Sequence, residues 1–194
     1  MHRIFFVLTA MAALTPRFAF AHVEVGTTAS FAAGFAHPFN GLDHVAVMVA
    51  VGLWAALKAG RAIWLWPTAF IGVMMIGGAL GMAHVQVPLV EPAILASVVA
   101  LGLLLALAVD LPLAVGAAII GAFALFHGHA HGSEAGEIIS GAEYMAGFAT
   151  ATATLHAMGI ALAIGVVRLR APGLIRVAGA ACVVFGLALA AGLV

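Results

Sequence analysis

The sequence predicts an all-α integral membrane protein, a bundle of six transmembrane helices after a cleaved N-terminal signal peptide. Of the 194 residues, 65% are hydrophobic and 7% charged, too little polar side chain to cover a water-soluble globule. Six windows of the ~20 mostly apolar residues that a membrane crossing requires can be laid along the chain. The fixed cations, and the histidines with most of the acidic residues, fall at opposite sets of junctions between those windows.

Taken in order, residues 1–21 read as a secretory signal. His2 and Arg3 supply a basic start, "IFFVLTAMAAL" an apolar stretch ended by Pro16 and Arg17, and "AFA" a small-residue cleavage site after Ala21. The mature chain then begins at His22, and residues 22–194 form a single six-helix transmembrane domain. Its windows are 39–58, 62–83, 92–109, 111–127, 144–167 and 174–193. Turn signals separate them: Lys58 to Arg61, "HVQVPLVEP" at 84–92, "DLP" at 110–112, a polar loop at 128–143 and "RLRAPG" at 168–173. "DLP" is so short that the third and fourth windows are expected to be tight antiparallel neighbours. The 23 glycines suit close helix packing in lipid. Cys182, the only cysteine, builds neither a disulfide framework nor a thiolate metal site and reads as a small packing residue.

Lysine and arginine favour cytoplasmic loops. Lys58 and Arg61 occupy the first loop and Arg168, Arg170 and Arg176 the fifth, so both loops face the cytoplasm and both mature termini face outward. The expected location is a bacterial inner (cytoplasmic) membrane, crossed several times, with the termini on the periplasmic side. Cleavage removes Arg3 and Arg17 from the seven fixed cations and leaves five against seven acids. That balance gives no reason to expect nucleic acid as a partner.

In this topology His22, Glu24, His37, Asp43, His44, His84, Glu91, His127, His129, His131, Glu134, Glu137 and Glu143 all fall at or near the outer side. Asp110 is on the inner side and His156 is mid-membrane. Ionisable groups at a membrane edge are costly and mark functional sites, and two motifs concentrate them. In "HPFNGLDH", residues 37–44, a helix beginning at Pro38 would place His37 at its cap and return His44 to nearly the same face. Asp43 would bind a cation or hold an imidazole in one tautomer. The plainer alternative is interfacial histidines satisfied by water. In "FHGHAHGSE", residues 126–134, a helix would set His127, His131 and Glu134 at i, i+4 and i+7 on one stripe. If the two glycines break the helix, His127, His129 and His131 instead alternate onto one side.

Further along the candidate path stand Glu91, before Pro92, as a helix-dipole carboxylate or selectivity group, and His156, with Thr152 one turn before it. The pair is either a buried imidazole bonded to a threonine or an inner relay. Met74, Met75 and Met82 could be soft ligands but read first as packing.

The two motifs resemble the signatures HPxxGxDH and FHGxAHGxE of the HupE/UreJ family, and every fixed position of both is present. The resemblance covers essentially the whole chain. It implies a small secondary permease for nickel or cobalt, associated with hydrogenase or urease, with His37, Asp43, His44, His127, His131 and Glu134 as the metal-handling residues. His129 occupies a variable position and is not implied.

Imidazole and carboxylate without thiolate suit Ni²⁺, Co²⁺ or Zn²⁺ better than Cu⁺, and the nitrogens argue against Mg²⁺ or Ca²⁺. The expected function is import of a divalent transition-metal cation, nickel first and cobalt next, captured between the first and fourth windows. His22, a free amine beside an imidazole, would add a chelating N-terminus. The metal is cargo, no permanent cofactor is expected, and the protein is not expected to be an enzyme. No GxxxxGK[ST] phosphate loop occurs. The alternative is an intramembrane zinc-dependent hydrolase; a haem carrier with paired axial histidines is a third reading.

Overall fold

A computed structural model describes residues 31–135 and 141–193, and every described element is helical. The signal peptide at 1–21 and His22 lie outside the described residues. The elements are α1 (Phe31–Ala36), a 3-10 turn (His37–Asn40), α2 (Leu42–Lys58), α3 (Ala62–Met82), α4 (Val90–Ala106), α5 (Leu113–Ala135), α6 (Gly141–Arg168) and α7 (Gly173–Ala190). Each of the six apolar windows corresponds to one of α2 to α7. Among the described residues, α3, α5, α6 and α7 are long and apolar enough to cross a membrane alone. The segment from α1 through α2 makes a fifth span if it is counted as one, although it bends by 90°. α4 is apolar but only 17 residues long.

The outside of the bundle is apolar. Leu42, Leu107, Val177, Val184 and Leu187 are each more than half exposed, an exterior suited to lipid and not to water. Inside, Trp54, Trp66, Phe70, Met74 and Phe148 are buried in a core shared by several helices.

Glycines set the helix pairs. α3 packs most extensively on α5, α4 on α7, and α2 on α6. A Cβ added at Gly77 or Gly81 would collide with the backbone of α5, and one at Gly128 or Gly132 with the backbone of α3. The two helices therefore touch main chain to main chain, the small-residue contact typical of membrane bundles. Gly52 and Gly159 do the same for α2 and α6, and Gly102 and Gly179 for α4 and α7.

Three expectations need correction. The helix of the first window does not begin at Pro38: Pro38 is the second residue of the 3-10 turn that His37 opens, Gly41 is extended at φ −114° and ψ 116°, and α2 starts at Leu42. His37 and His44 therefore do not share a helix face; from either side of the bend each reaches His131. The fourth window does not end at residue 127, because α5 runs on through the whole second motif to Ala135. Its glycines face α3 and do not break the helix, which leaves His127, His131 and Glu134 on another face. Third, α4 and α5 do touch, but each packs mainly on a helix more distant in sequence. A short connection requires proximity, whereas the glycine faces choose the closest partner.

One end of the bundle gathers the fixed cations of the described chain. Lys58 Nζ meets Asp110 Oδ1 at 2.6 Å, which accounts for the acid that stood apart from the others. The Trp54 and Trp66 indoles lie 4.4 Å apart and donate Nε1–H bonds of 3.0 Å to the carbonyls of Val109 and Leu113. Arg176 Nε donates to the Ala106 carbonyl at 2.9 Å. The histidine motifs occupy the other end.

Candidate metal centre

The bend at Gly41 is what lets the first motif fold onto the second. A Cβ at this position would stand 2.7 Å from Asp43 Oδ1 and 3.0 Å from His44 Nδ1. The need for glycine here is close approach, because the backbone angles themselves are ordinary. Freed of that obstruction, Asp43 Oδ1 accepts from His44 Nδ1 at 2.9 Å.

From α5, His131 reaches His44 with an Nε2···Nε2 separation of 2.6 Å. Its other nitrogen, Nδ1, lies 3.3 Å from Glu134 Oε2, one helical turn on. The order across the site is Asp43, His44, His131, Glu134. Each carboxylate favours a hydrogen on the Nδ1 beside it and so leaves the Nε2 of both rings as a lone pair. The two lone pairs face each other, an arrangement stabilised by a cation shared between them. A metal with Zn-like N bonds of about 2.0–2.1 Å in a tetrahedral shell would hold the nitrogens ~3.3 Å apart, so this pair, now 2.6 Å apart, need open by about 0.7 Å.

His37 completes the group. Its Nε2 lies 3.5 Å from Glu134 Oε2, and its ring stands edge-on to His131 with centroids 4.7 Å apart. His37, His131 and Glu134 each offer a ligand atom within 4.8 Å of the others. Asp43 and Glu134 together bring two negative charges, the complement of a divalent cation. Burial grades the site: the Glu134 side chain is 57% exposed, His37 33%, His44 14% and His131 3%. Glu134 is the member of the group most open to its surroundings. On the 3-10 turn, burial holds the His37 pKa below the ordinary imidazole value of 6.5, outweighing the opposite pull of Glu134, and nearby His44 lowers it further.

His127 lies deeper and is fully buried, its ring 5.1 Å from that of His44. Ser97 Oγ gives its hydrogen to the Ile94 carbonyl at 2.5 Å, so it accepts from His127 Nε2–H at 3.0 Å. That fixes the His127 tautomer and leaves Nδ1 as an unpaired acceptor. The backbones of α2 and α5 are not in extensive contact; the two motifs meet through the length of their imidazoles.

The remaining predicted residues lie apart from this cluster. His129 Nε2 donates to the Val85 carbonyl at 2.7 Å and ties α5 to the connection after α3. Glu91 is exposed in the first turn of α4. His156 is buried in α6, and Thr152 does not bond to it: the threonine hydroxyl points to Met74 Sδ at 3.7 Å. Three residues that build the site's walls escaped sequence reasoning. Tyr144 stands edge-on to His37 at 5.7 Å, Phe148 lies against His131 at 4.3 Å, and Ser97 orients His127. Their signals were faint but present, since Tyr144 is the only tyrosine and Ser97 the only polar side chain between Pro92 and Val109.

The HupE / UreJ protein family model matches residues 9–189. Protein HupE of Rhizobium leguminosarum bv. viciae is 45% identical over 189 residues, which is 96% of this chain and 97% of that protein. No solved structure matches the chain. The family match spans nearly the whole chain, both histidine motifs included, and the chain belongs to the HupE/UreJ family, a family generally associated with nickel and cobalt transport.

Proposed function

We propose that the chain is a secondary permease importing a divalent transition-metal cation, nickel first and cobalt next, captured at a site on the periplasmic face. The ligands are drawn from His37, His44, His127, His131 and Glu134, with Asp43 fixing the His44 ring. The observation that carries this reading is the convergence of the two motifs at His44 and His131, whose Nε2 atoms face each other between two carboxylates. Neutral imidazoles and carboxylates without a thiolate suit a borderline cation such as Ni²⁺ or Co²⁺. Capture begins at the exposed Glu134 and His37, and the ion sheds water as it moves between His44 and His131. Tyr144 and Phe148 provide a dry wall that strengthens each ion–ligand contact.

The orientation rests on the cation-rich end, with Lys58, Arg61, Arg168, Arg170 and Arg176, facing the cytoplasm. In a six-span inner-membrane arrangement the histidine end is then periplasmic, as are both mature termini. An inward-negative potential favours a dication by about 4.6 kcal/mol per 100 mV, twice the single-charge value. The driving force is accordingly the membrane potential, an ion gradient or the metal's own gradient. The zinc-hydrolase alternative draws no support from the family or from the cluster.

The test is nickel uptake into proteoliposomes containing a metal indicator. Wild type should fill them, and His131→Ala should raise the half-saturating nickel concentration at least tenfold. Equal uptake by wild type and His131→Ala, or none above empty liposomes, would remove the reading.

A further inference from the structure

Below the outer cluster lies a second group of ligand atoms. Among the described residues, three buried side-chain nitrogen or oxygen atoms have no hydrogen-bond partner, and all three belong to two histidines: His127 Nδ1, His156 Nδ1 and His156 Nε2. Both rings pack against the same Phe70, with centroid distances of 5.9 Å for His127 and 5.0 Å for His156. An orphaned buried polar atom is rare in a folded protein and needs a reason. Two such rings against one phenylalanine point to a common one.

A soft donor stands on the same helix as Phe70. Met74 is one helical turn beyond Phe70 on α3 and is fully buried. Its Sδ receives the hydroxyl hydrogen of Thr152, one turn before His156 on α6. Helices α5 and α6 thus each set an imidazole ring against Phe70 of α3, and the Met74 thioether of α3 meets α6 one turn before His156. α6 packs tightly on α2 here, where Gly52 of α2 sits against the His156 carbonyl with no room for a side chain.

We propose that His156, with the Met74 thioether and the free Nδ1 of His127, whose ring packs against the same Phe70, forms an inner transit site for the imported cation. It rests on the permease reading and adds a second station to it. His127 is the handover ligand, its ring 5.1 Å from that of His44 and 5.9 Å from that of Phe70. His156 and Met74 receive the ion beyond it. Neither ring on this inner side has a carboxylate partner among the described residues, so the site is uncharged and binds more weakly than the outer one. Conduction requires that inequality, since a deep site that held the dication tightly would trap it.

The test compares His156→Leu and His156→Gln with wild type in the same liposomes, using nickel chloride. Both variants should lower the maximal uptake rate at least tenfold and keep the half-saturating concentration within about twofold, because the outer cluster is untouched. Met74→Leu should lower the rate less. His156→Leu should also melt at a higher temperature than wild type in detergent, since an apolar side chain replaces two unpaired nitrogens. A purely structural histidine predicts that same rise in melting temperature with uptake unchanged, so a stabilised variant with a wild-type rate overturns the proposal. If His156→Leu does not fold, His156→Gln, which keeps a polar side chain, decides by the same rate criterion. Loss of nickel uptake by wild type itself would instead count against the permease reading.

Discussion

Gly41→Ala is a sharp probe of the site because it leaves every proposed ligand chemically intact. The added methyl would stand 2.7 Å from Asp43 Oδ1 and 3.0 Å from His44 Nδ1, both closer than ordinary carbon contacts. Both neighbours are side chains, so the backbone at the bend can stay and the side chains must move to make room, Asp43 the further. The 2.9 Å bond between them is the one that gives. Losing the carboxylate that orients a metal-binding imidazole costs about 10–100-fold in metal affinity, which is about 1.4–2.7 kcal/mol. Nickel uptake into liposomes should therefore show a half-saturating concentration raised about 10–100-fold, with the maximal rate largely kept. Gly72→Ala is the control: nothing lies within 4 Å of its added Cβ, and in mid-helix it should stabilise by roughly 0.5–1 kcal/mol. An unchanged half-saturating concentration in Gly41→Ala would refute the role given to the Asp43–His44 pair.

Gly128→Ala drives a methyl into the Met74 backbone and should separate α3 from α5; overpacking of this kind costs about 1–3 kcal/mol, measurable as a lower melting temperature in detergent. On pH, burial lowers the His37 pKa below 6.5, so the unfolded chain binds more protons than the folded one between the two values. His37 therefore contributes stability that is complete above pH 6.5 and declines as pH falls below it. Nickel binding, which needs neutral imidazole, should decline in the same direction with a midpoint under 6.5. Titrating affinity between pH 5 and 8, a range around the ordinary imidazole pKa of ~6.5, checks the sign, and tighter binding at the acid end would contradict it.

Much of this architecture was legible in the sequence because lipid imposes simple rules. Apolar length marks α2 to α7, and the separation of Lys58, Arg168 and Arg176 from the histidines marks the two ends. The His127, His131 and Glu134 stripe needed only helical periodicity. What could not be read was whether Gly128 and Gly132 break a helix or pack one, because glycine serves both purposes and the partner, Met74 and Gly78 of α3, is some 50 residues away. The bend at Gly41 was hidden for a related reason: its cause is side-chain crowding from Asp43 and His44, not a special backbone conformation. Aromatic walls such as Tyr144 and Phe148 look like any apolar residue until the helices are placed.

The central claim is that the two motifs build one cation site, and X-ray absorption at the nickel edge tests it most directly. Protein carrying one equivalent of nickel should show at least two imidazoles in the metal's inner shell, with nitrogen at about 2.0–2.1 Å as for comparable borderline cations. His44→Ala and His131→Ala should each remove one imidazole, although the residues lie 87 positions apart. A shell of water oxygens alone, or a spectrum that responds to only one of the two substitutions, would contradict the single shared site.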